Sequence, residues 1–207
     1  MNNPTASNVI NADLIEKAID YQTYRNLIDD LLAQGKTTGP NQNQFLTDYT
    51  KMNVQRMNRW DKTAVLKDDL KAEVQQLQGK WIWLVLTEGW CGDAAQNIPT
   101  IVKIAQLNAN IELKFLLRDE NLALMDQYLT NGGRAIPKLI ALKSATLEEV
   151  GTWGPRPQVL QAWVTAERKK PDFDFKPFSE KVHKWYADNK TQDLQAEFLE
   201  LIKSMKA

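Results

Sequence analysis

The chain has 207 residues, of which 43% are hydrophobic and 25% are charged, a composition typical of a globular protein and unlike that of a disordered one. Its 26 basic residues balance its 26 acidic residues, so no overall field attracts a nucleic acid or an anionic membrane surface, and we expect neither as a partner. No stretch has the length of continuous apolar sequence that a transmembrane helix requires.

The N-terminal residues 1–17 contain neither the basic start nor the apolar stretch of a secretory signal. The chain has a single cysteine, Cys91, which cannot form an internal disulfide and suits a reducing compartment. We therefore expect a cytoplasmic protein in which any disulfide is intermolecular. The sequence leaves the oligomeric state open.

The segment 1–78 is predicted to be a helical extension. Its apolar residues recur at the spacing of amphipathic helices, and turn residues separate the periodic stretches. Three helices are predicted: one over residues 11–35, one that runs towards Trp60 after a turn at residues 36–40, and one from an N-cap at Asp61 to Gly79.

The pattern changes at Lys80, because residues 81–86 are all aromatic or aliphatic, as in a strand buried on both faces. A turn and a helix over residues 94–107 follow. The later predictions are a strand at 111–117, a helix at 121–129, strands at 138–142 and 147–153, and a helix from the turn at 154–157 to Val164. This order predicts the α/β class, with a mixed sheet flanked by helices.

The segment 169–207 is predicted to be a linker and a C-terminal helical extension. Residues 170–177 contain two prolines and little periodicity, which indicates a linker. One or two helices are expected between residues 179 and 203. The chain thus divides into an N-terminal extension, a central part over residues 79–168 and a C-terminal extension, which we expect to form one compact unit.

Cys91 lies in the turn between the predicted buried strand and the helix that follows it. Unpaired backbone N–H groups and the positive end of the helix dipole stabilise a thiolate at such a point, and the thiolate is the form that attacks disulfides. Asp93 acts in the opposite direction, because a nearby carboxylate raises the pKa of a thiol, unless that carboxylate bonds to the helix start. The direction of the pKa shift therefore stays open, as does a role in packing alone.

The motif Glu88-Gly-Trp-Cys-Gly-Asp93 resembles the Trp-Cys-Gly-Pro-Cys active-site turn of the thioredoxin superfamily. Residues 135–140 are similar to the family segment whose cis-proline faces the active-site cysteine, and residues 149–155 resemble the last strand and the turn after it. The resemblance covers about residues 79–166. It implies a thioredoxin-like α/β fold with helices added at both ends, and these site residues: Cys91 as the attacking thiol, with Trp90, Gly92, Asp93, Ile136 and Pro137 contacting the substrate.

Two departures from the family pattern affect the chemistry. Ala94 stands where the family has its second cysteine, and Val85 stands where it has a buried acidic residue. A two-cysteine reductase cycle is excluded unless a partner supplies the second thiol. Glu88 lies nearer the turn, but we expect it to be a solvated loop carboxylate. His183, the only histidine, is expected at the surface or in packing rather than beside Cys91.

Two functions follow from these features. In the first, which we favour, Cys91 forms a mixed disulfide with a protein or a small-molecule disulfide, and an external thiol such as glutathione resolves it, with no bound cofactor or metal. In the second, the chain is a redox-inactive binding or adaptor module, in which a groove around Trp90, Ile136 and Pro137 accepts an extended segment of a partner.

Overall fold

Four strands form one mixed sheet in this computed structural model, which describes residues 9–206. The strands are β1 (Trp81–Thr87), β2 (Ile111–Leu117), β3 (Lys138–Lys143) and β4 (Glu149–Trp153). Their spatial order is β2-β1-β3-β4; β2 is parallel to β1, whereas β3 is antiparallel to β1 and β4 to β3. The predicted α/β class and mixed sheet are confirmed, while residues 1–8 of the predicted N-terminal extension lie outside the described part.

Helices precede, connect and follow the strands in the described residues. They are α1 (Ala12–Lys17), α2 (Tyr21–Ala33), α3 (Gln44–Thr63), α4 (Asp68–Gln75), α5 (Gly92–Ala105), α6 (Leu122–Met125), α7 (Gln158–Glu167), α8 (Phe175–Asn189) and α9 (Gln192–Met205). The α5 helix makes the long connection that the parallel pair β1 and β2 requires. Within residues 9–206, none of these helices has the length and apolar character needed to cross a membrane.

All seven residues of β1 are buried, because the strand has a neighbour on each side and helices flank the sheet. The continuous apolar run in the sequence reflects this central position. The C-terminal end of β1 leads directly into the turn that contains Cys91, so a rigid buried strand positions that turn.

The prediction of one helix over residues 11–35 is wrong, because the chain leaves helical geometry between α1 and α2. There Ile19 pairs with Phe115 of β2 through two backbone hydrogen bonds of 2.9 and 2.7 Å. Asp20 then starts α2 by accepting the backbone N–H of Thr23 at 2.7 Å, as an N-cap does. The N-terminal extension therefore pairs with the outer edge of β2, an edge that would otherwise expose unpaired backbone groups.

The predicted N-cap at Asp61 is also wrong. Asp61 lies inside α3, where its carboxylate accepts hydrogen bonds from Arg25 and from the Tyr21 hydroxyl, and α4 begins only after Lys67. A carboxylate at a helix start and one that forms a tertiary ion pair look the same in sequence, which explains the error.

Two further boundaries differ from the predictions. The helix expected over residues 121–129 is only the short α6, preceded by a single 3-10 turn at Arg118–Glu120. The predicted linker is shorter than expected, because Asp174 caps α8 by accepting the N–H of Lys176 at 3.0 Å. Pro177 fits in the first turn of α8, where its missing N–H has no helical partner to lose.

The main core contains residues from the sheet and from both extensions. Phe198 of α9 is completely buried, with its ring 5.5 Å from that of Trp83 and 5.4 Å from that of Trp153. A second, smaller apolar cluster joins α7 to α8 and contains Leu160, Val164, Phe178, Val182 and Tyr186. The C-terminal extension thus contributes to two separate groups of buried side chains.

Phe198→Ala tests whether α9 is an integral part of the core. We expect it to lower the free energy of unfolding by about 3–5 kcal/mol, because it removes a fully buried ring and leaves a cavity. Urea unfolding followed by circular dichroism measures the change. Phe45→Ala is the matched control, since Phe45 is 57% exposed. Equal effects of the two substitutions would show that α9 does not pack on the sheet.

Candidate active site around Cys91

Cys91 is the N-cap residue of α5. Its Sγ accepts the backbone N–H of Ala94 at 3.4 Å, and its thiol donates to the carbonyl oxygen of Ile136 at 3.1 Å. The Ile136–Pro137 peptide bond is cis, as the resemblance implied. The structure therefore brings together two segments that lie 45 positions apart in the sequence.

The residues expected to line a groove are mostly covered. Ile136 and Pro137 are buried, and Trp90 is half-buried. The guanidinium of Arg118 lies over the Trp90 ring, 4.7 Å from its centre, and is held there by an ion pair with Asp119 at 2.7 Å. An extended partner segment would have little exposed surface to contact here.

Asp93 forms a buried polar network and does not act as an N-cap. Its carboxylate pairs with the guanidinium of Arg156 and accepts the hydroxyl of Tyr186 at 2.8 Å. Tyr186 in turn accepts the side-chain amide of Asn97 at 2.9 Å. The Arg156 and Asp93 side chains are only 11% and 14% exposed, so this network joins the start of α5 to the turn before α7 and to α8.

Burial and the nearby carboxylate of Asp93 raise the pKa of the Cys91 thiol to about 12. The backbone N–H of Ala94 and the positive charge of Arg156 act in the opposite direction, but they do not offset the loss of hydration. Cys91 is 8% exposed. In this arrangement the thiol is therefore protonated at neutral pH.

The expectation that Glu88 is a solvated carboxylate is wrong. Glu88 is completely buried, and burial raises its pKa. One carboxylate oxygen accepts the backbone N–H of Asp119 at 2.9 Å, and the other has no hydrogen-bond partner among residues 9–206. Its contacts thus run to the 3-10 turn that also carries Arg118.

A cavity of about 180 Å³ lies beside Cys91, between the start of α5 and the covering helix α8. Its wall includes Cys91, Asp93, Tyr49, Arg156, Ser179 and His183. Gly92 makes this close approach possible, because a Cβ there would lie 2.9 Å from Cε1 of the His183 ring and 3.1 Å from the Tyr49 hydroxyl oxygen. The helix of the C-terminal extension therefore covers the active-site turn without closing it.

His183 lies in the cavity wall with Cys91, contrary to the expectation of a surface or packing position. The apolar spacing of Phe178, Val182 and Tyr186 indicates that one face of α8 is buried. That spacing does not tell which element the face packs against. His183 lies about ninety residues after Cys91 in the sequence, and only the tertiary arrangement places its imidazole in the cavity wall.

A chain of hydrogen bonds fixes the protonation of His183. The Trp60 indole donates to Oε1 of Gln96 at 2.6 Å, so Nε2 of Gln96 donates to Nδ1 of His183 at 2.9 Å. His183 must then donate through Nε2 to the Tyr49 hydroxyl at 2.7 Å, and the Tyr49 hydroxyl shares a further hydrogen bond of 3.0 Å with Ser179. Because an indole N–H can only donate, each direction follows as far as the bond from His183 to Tyr49.

Three comparisons relate the chain to known proteins. A family model described as thioredoxin matches residues 39–169. A protein of unknown function from Pseudomonas aeruginosa has a similar structure, with a TM-score of 0.62, 18% identity, and coverage of 93% of this chain and 96% of that one. An HIV epitope scaffold gives a TM-score of 0.60 at the same identity and coverage. At this identity the likeness shows the fold alone, and no curated protein matches the chain.

The pH dependence of stability tests the buried imidazole. Burial, together with the charge of Arg56, lowers the pKa of His183 to about 4, from 6.5 in the unfolded chain. Below about pH 6.5 the unfolded chain takes up a proton that the folded chain does not. The free energy of unfolding therefore decreases as the pH is lowered. We expect the wild type to lose about 2 kcal/mol more than His183→Asn between about pH 7 and about pH 5.

Urea unfolding at a series of pH values measures this difference, and the variant corrects for the carboxylates that titrate in both proteins. If the two proteins lose the same free energy as the pH falls, the imidazole of His183 is hydrated in the folded state and the network described above is wrong.

Proposed function

The chain belongs to the thioredoxin family, and on that premise we propose that it is a monothiol thiol–disulfide exchange protein acting through Cys91. The position of the Cys91 sulfur supports this most. It lies at the start of α5, against the carbonyl of Ile136 and beside the cis-proline, and it reaches a cavity on the protein surface. A cysteine that only packs needs no such access.

The exchange proceeds in two displacements. The Cys91 thiolate attacks one sulfur of a disulfide, a new S–S bond forms to Cys91, and the other sulfur leaves as a thiolate that takes up a proton. An external thiol, for which glutathione is a candidate, then attacks the mixed disulfide and releases Cys91. Both steps exchange one S–S bond for another, so neither needs a metal or a bound redox cofactor.

The surroundings of Cys91 act differently on the two states of the sulfur. The carbonyl of Ile136 accepts the S–H group and so stabilises the thiol, whereas the N–H of Ala94 and the start of α5 stabilise the thiolate. Because burial and Asp93 make the thiol the dominant form, exchange is slow at neutral pH and becomes faster as the pH rises.

A binding or adaptor module is the second candidate function. The burial of Cys91 and its raised pKa favour this candidate, because an unreactive thiol suits a packing role. The two functions differ in one observable: a binding module keeps its function in Cys91→Ser, whereas an exchange protein loses it.

The rate of alkylation of Cys91 by iodoacetamide, measured against pH in the folded protein, separates the two candidates. For the exchange protein we expect the rate to rise about tenfold per pH unit through about pH 9 without a plateau, since only the thiolate reacts. Asp93→Asn is expected to raise the rate about tenfold at a fixed pH, because it removes a negative charge near the sulfur.

Asp48→Asn is the matched control, since Asp48 is an exposed carboxylate on α3, and it should leave the rate unchanged. Because Asp93→Asn also removes the ion-pair partner of Arg156, circular dichroism and urea unfolding are used to test whether the variant is folded under the conditions of the assay. A Cys91 that reacts only at the rate of global unfolding would make the binding module the better proposal.

A further inference from the structure

The hydrogen-bond chain that starts at Trp60 delivers a donor to the Cys91 cavity. The Tyr49 oxygen accepts from Nε2 of His183, so its own hydrogen points onward, to Ser179 or to an occupant of the cavity. Ser179 can donate to the Tyr49 oxygen instead, which leaves the Tyr49 hydrogen for an acceptor on an occupant of the cavity.

Arg156 supplies a second donor to the same wall. Its two terminal nitrogens donate to Asp93 and, at 2.8 Å, to Gln161. Its Nε–H group is buried and has no acceptor among residues 9–206. An unused donor of this kind costs free energy unless a bound group accepts its hydrogen.

The charge of the cavity wall is positive. Arg156 and Arg168 both line it, and Asp93 is the one carboxylate there. The His183 imidazole is neutral, since burial holds its pKa near 4. Arg168 is exposed and forms no ion pair within the described residues. One positive charge of the cavity wall, that of Arg168, whose guanidinium lies 5.3 Å from the centre of the Phe178 ring, therefore has no ion-pair partner among the described residues.

The size of the cavity limits what can reach Cys91. About 180 Å³ corresponds to the liquid volume of roughly six water molecules. That space admits one half of a small disulfide. A loop of a folded protein would have to displace α8, which packs on α7 through Phe178 and Val182.

We infer that the substrate of Cys91 is a small anionic disulfide, whose acidic group is held in the cavity by the Tyr49 hydroxyl and the guanidinium groups of Arg156 and Arg168. This inference rests on the proposed exchange function. The Cys91 thiolate displaces one half of the disulfide as an anionic thiolate and keeps the other half as a mixed disulfide, with the acidic group of the bound half in the cavity.

Three disulfides of similar size and different charge test the inference: dithiodiglycolate, which is anionic, 2-hydroxyethyl disulfide, which is neutral, and cystamine, which is cationic. Intact-mass spectrometry measures mixed-disulfide formation on the folded full-length chain. The rate for the urea-unfolded chain is the reference for each compound. We expect the folded-to-unfolded ratio to be about tenfold higher for the anion than for the cation.

Arg168→Gln should remove most of this preference. Because Arg168 is exposed, we expect this substitution to leave the fold unchanged. Lys176→Gln is the matched control, because it removes one positive charge from α8 outside the cavity. Tyr49→Phe should lower the rate for the anion by a larger factor than the rate for the neutral disulfide. Insulin, a disulfide-bonded protein, should form no mixed disulfide with the folded chain.

The outcomes separate this inference from the proposed function. If all three small disulfides react equally, or if insulin reacts as fast as dithiodiglycolate, the substrate class is wrong while exchange through Cys91 stands. If the folded chain reacts with none of them and the unfolded chain reacts with all, the proposed function itself fails. If Lys176→Gln weakens the preference for the anion as much as Arg168→Gln does, the cavity is not what selects the anion, and the inference is also overturned.

Discussion

The buried ion pair between Asp93 and Arg156 is the interaction on which the site depends. With the Tyr186 hydroxyl it joins the start of α5, the turn before α7 and the last turn of α8. Removing one partner would leave the other charge buried and unpaired, which typically costs about 3–5 kcal/mol. The pair therefore holds α8 over the active-site turn, and the shape of the cavity follows from that placement.

The same placement creates opposing effects on the thiol. It removes water from Cys91 and raises its pKa, which suppresses reactions with solutes that merely collide with the surface. It also places polar groups of Tyr49 and Arg156 in the wall of the cavity that Cys91 lines. In the exchange function proposed above, such a site gains specificity at the expense of resting reactivity, because an occupant that bonds to those polar groups stays longer in the cavity.

The parts of the structure that local patterns encode were predictable from the sequence. The buried run of β1, the helix after Cys91 and the motif around Pro137 are each contained within a few residues, and all three are in place. Glu88 and His183 were not predictable, because a buried carboxylate and a buried imidazole are distinguished from exposed ones only by distant partners. The break at Ile19 was missed for the same reason, since its partner Phe115 lies almost a hundred residues later.

The helices of the two extensions fall into two groups, those that pack on the sheet and α8, which covers the site. The N-terminal one pairs with the edge of β2 through Ile19, and α9 places Phe198 in the main core, so both are tied to the stability of the sheet. By contrast, Phe178 and Val182 of α8 belong to the separate cluster with α7. A substitution in that cluster removes no side chain from the main core. Access to Cys91 is therefore set by a group of contacts that is distinct from those that hold the sheet together.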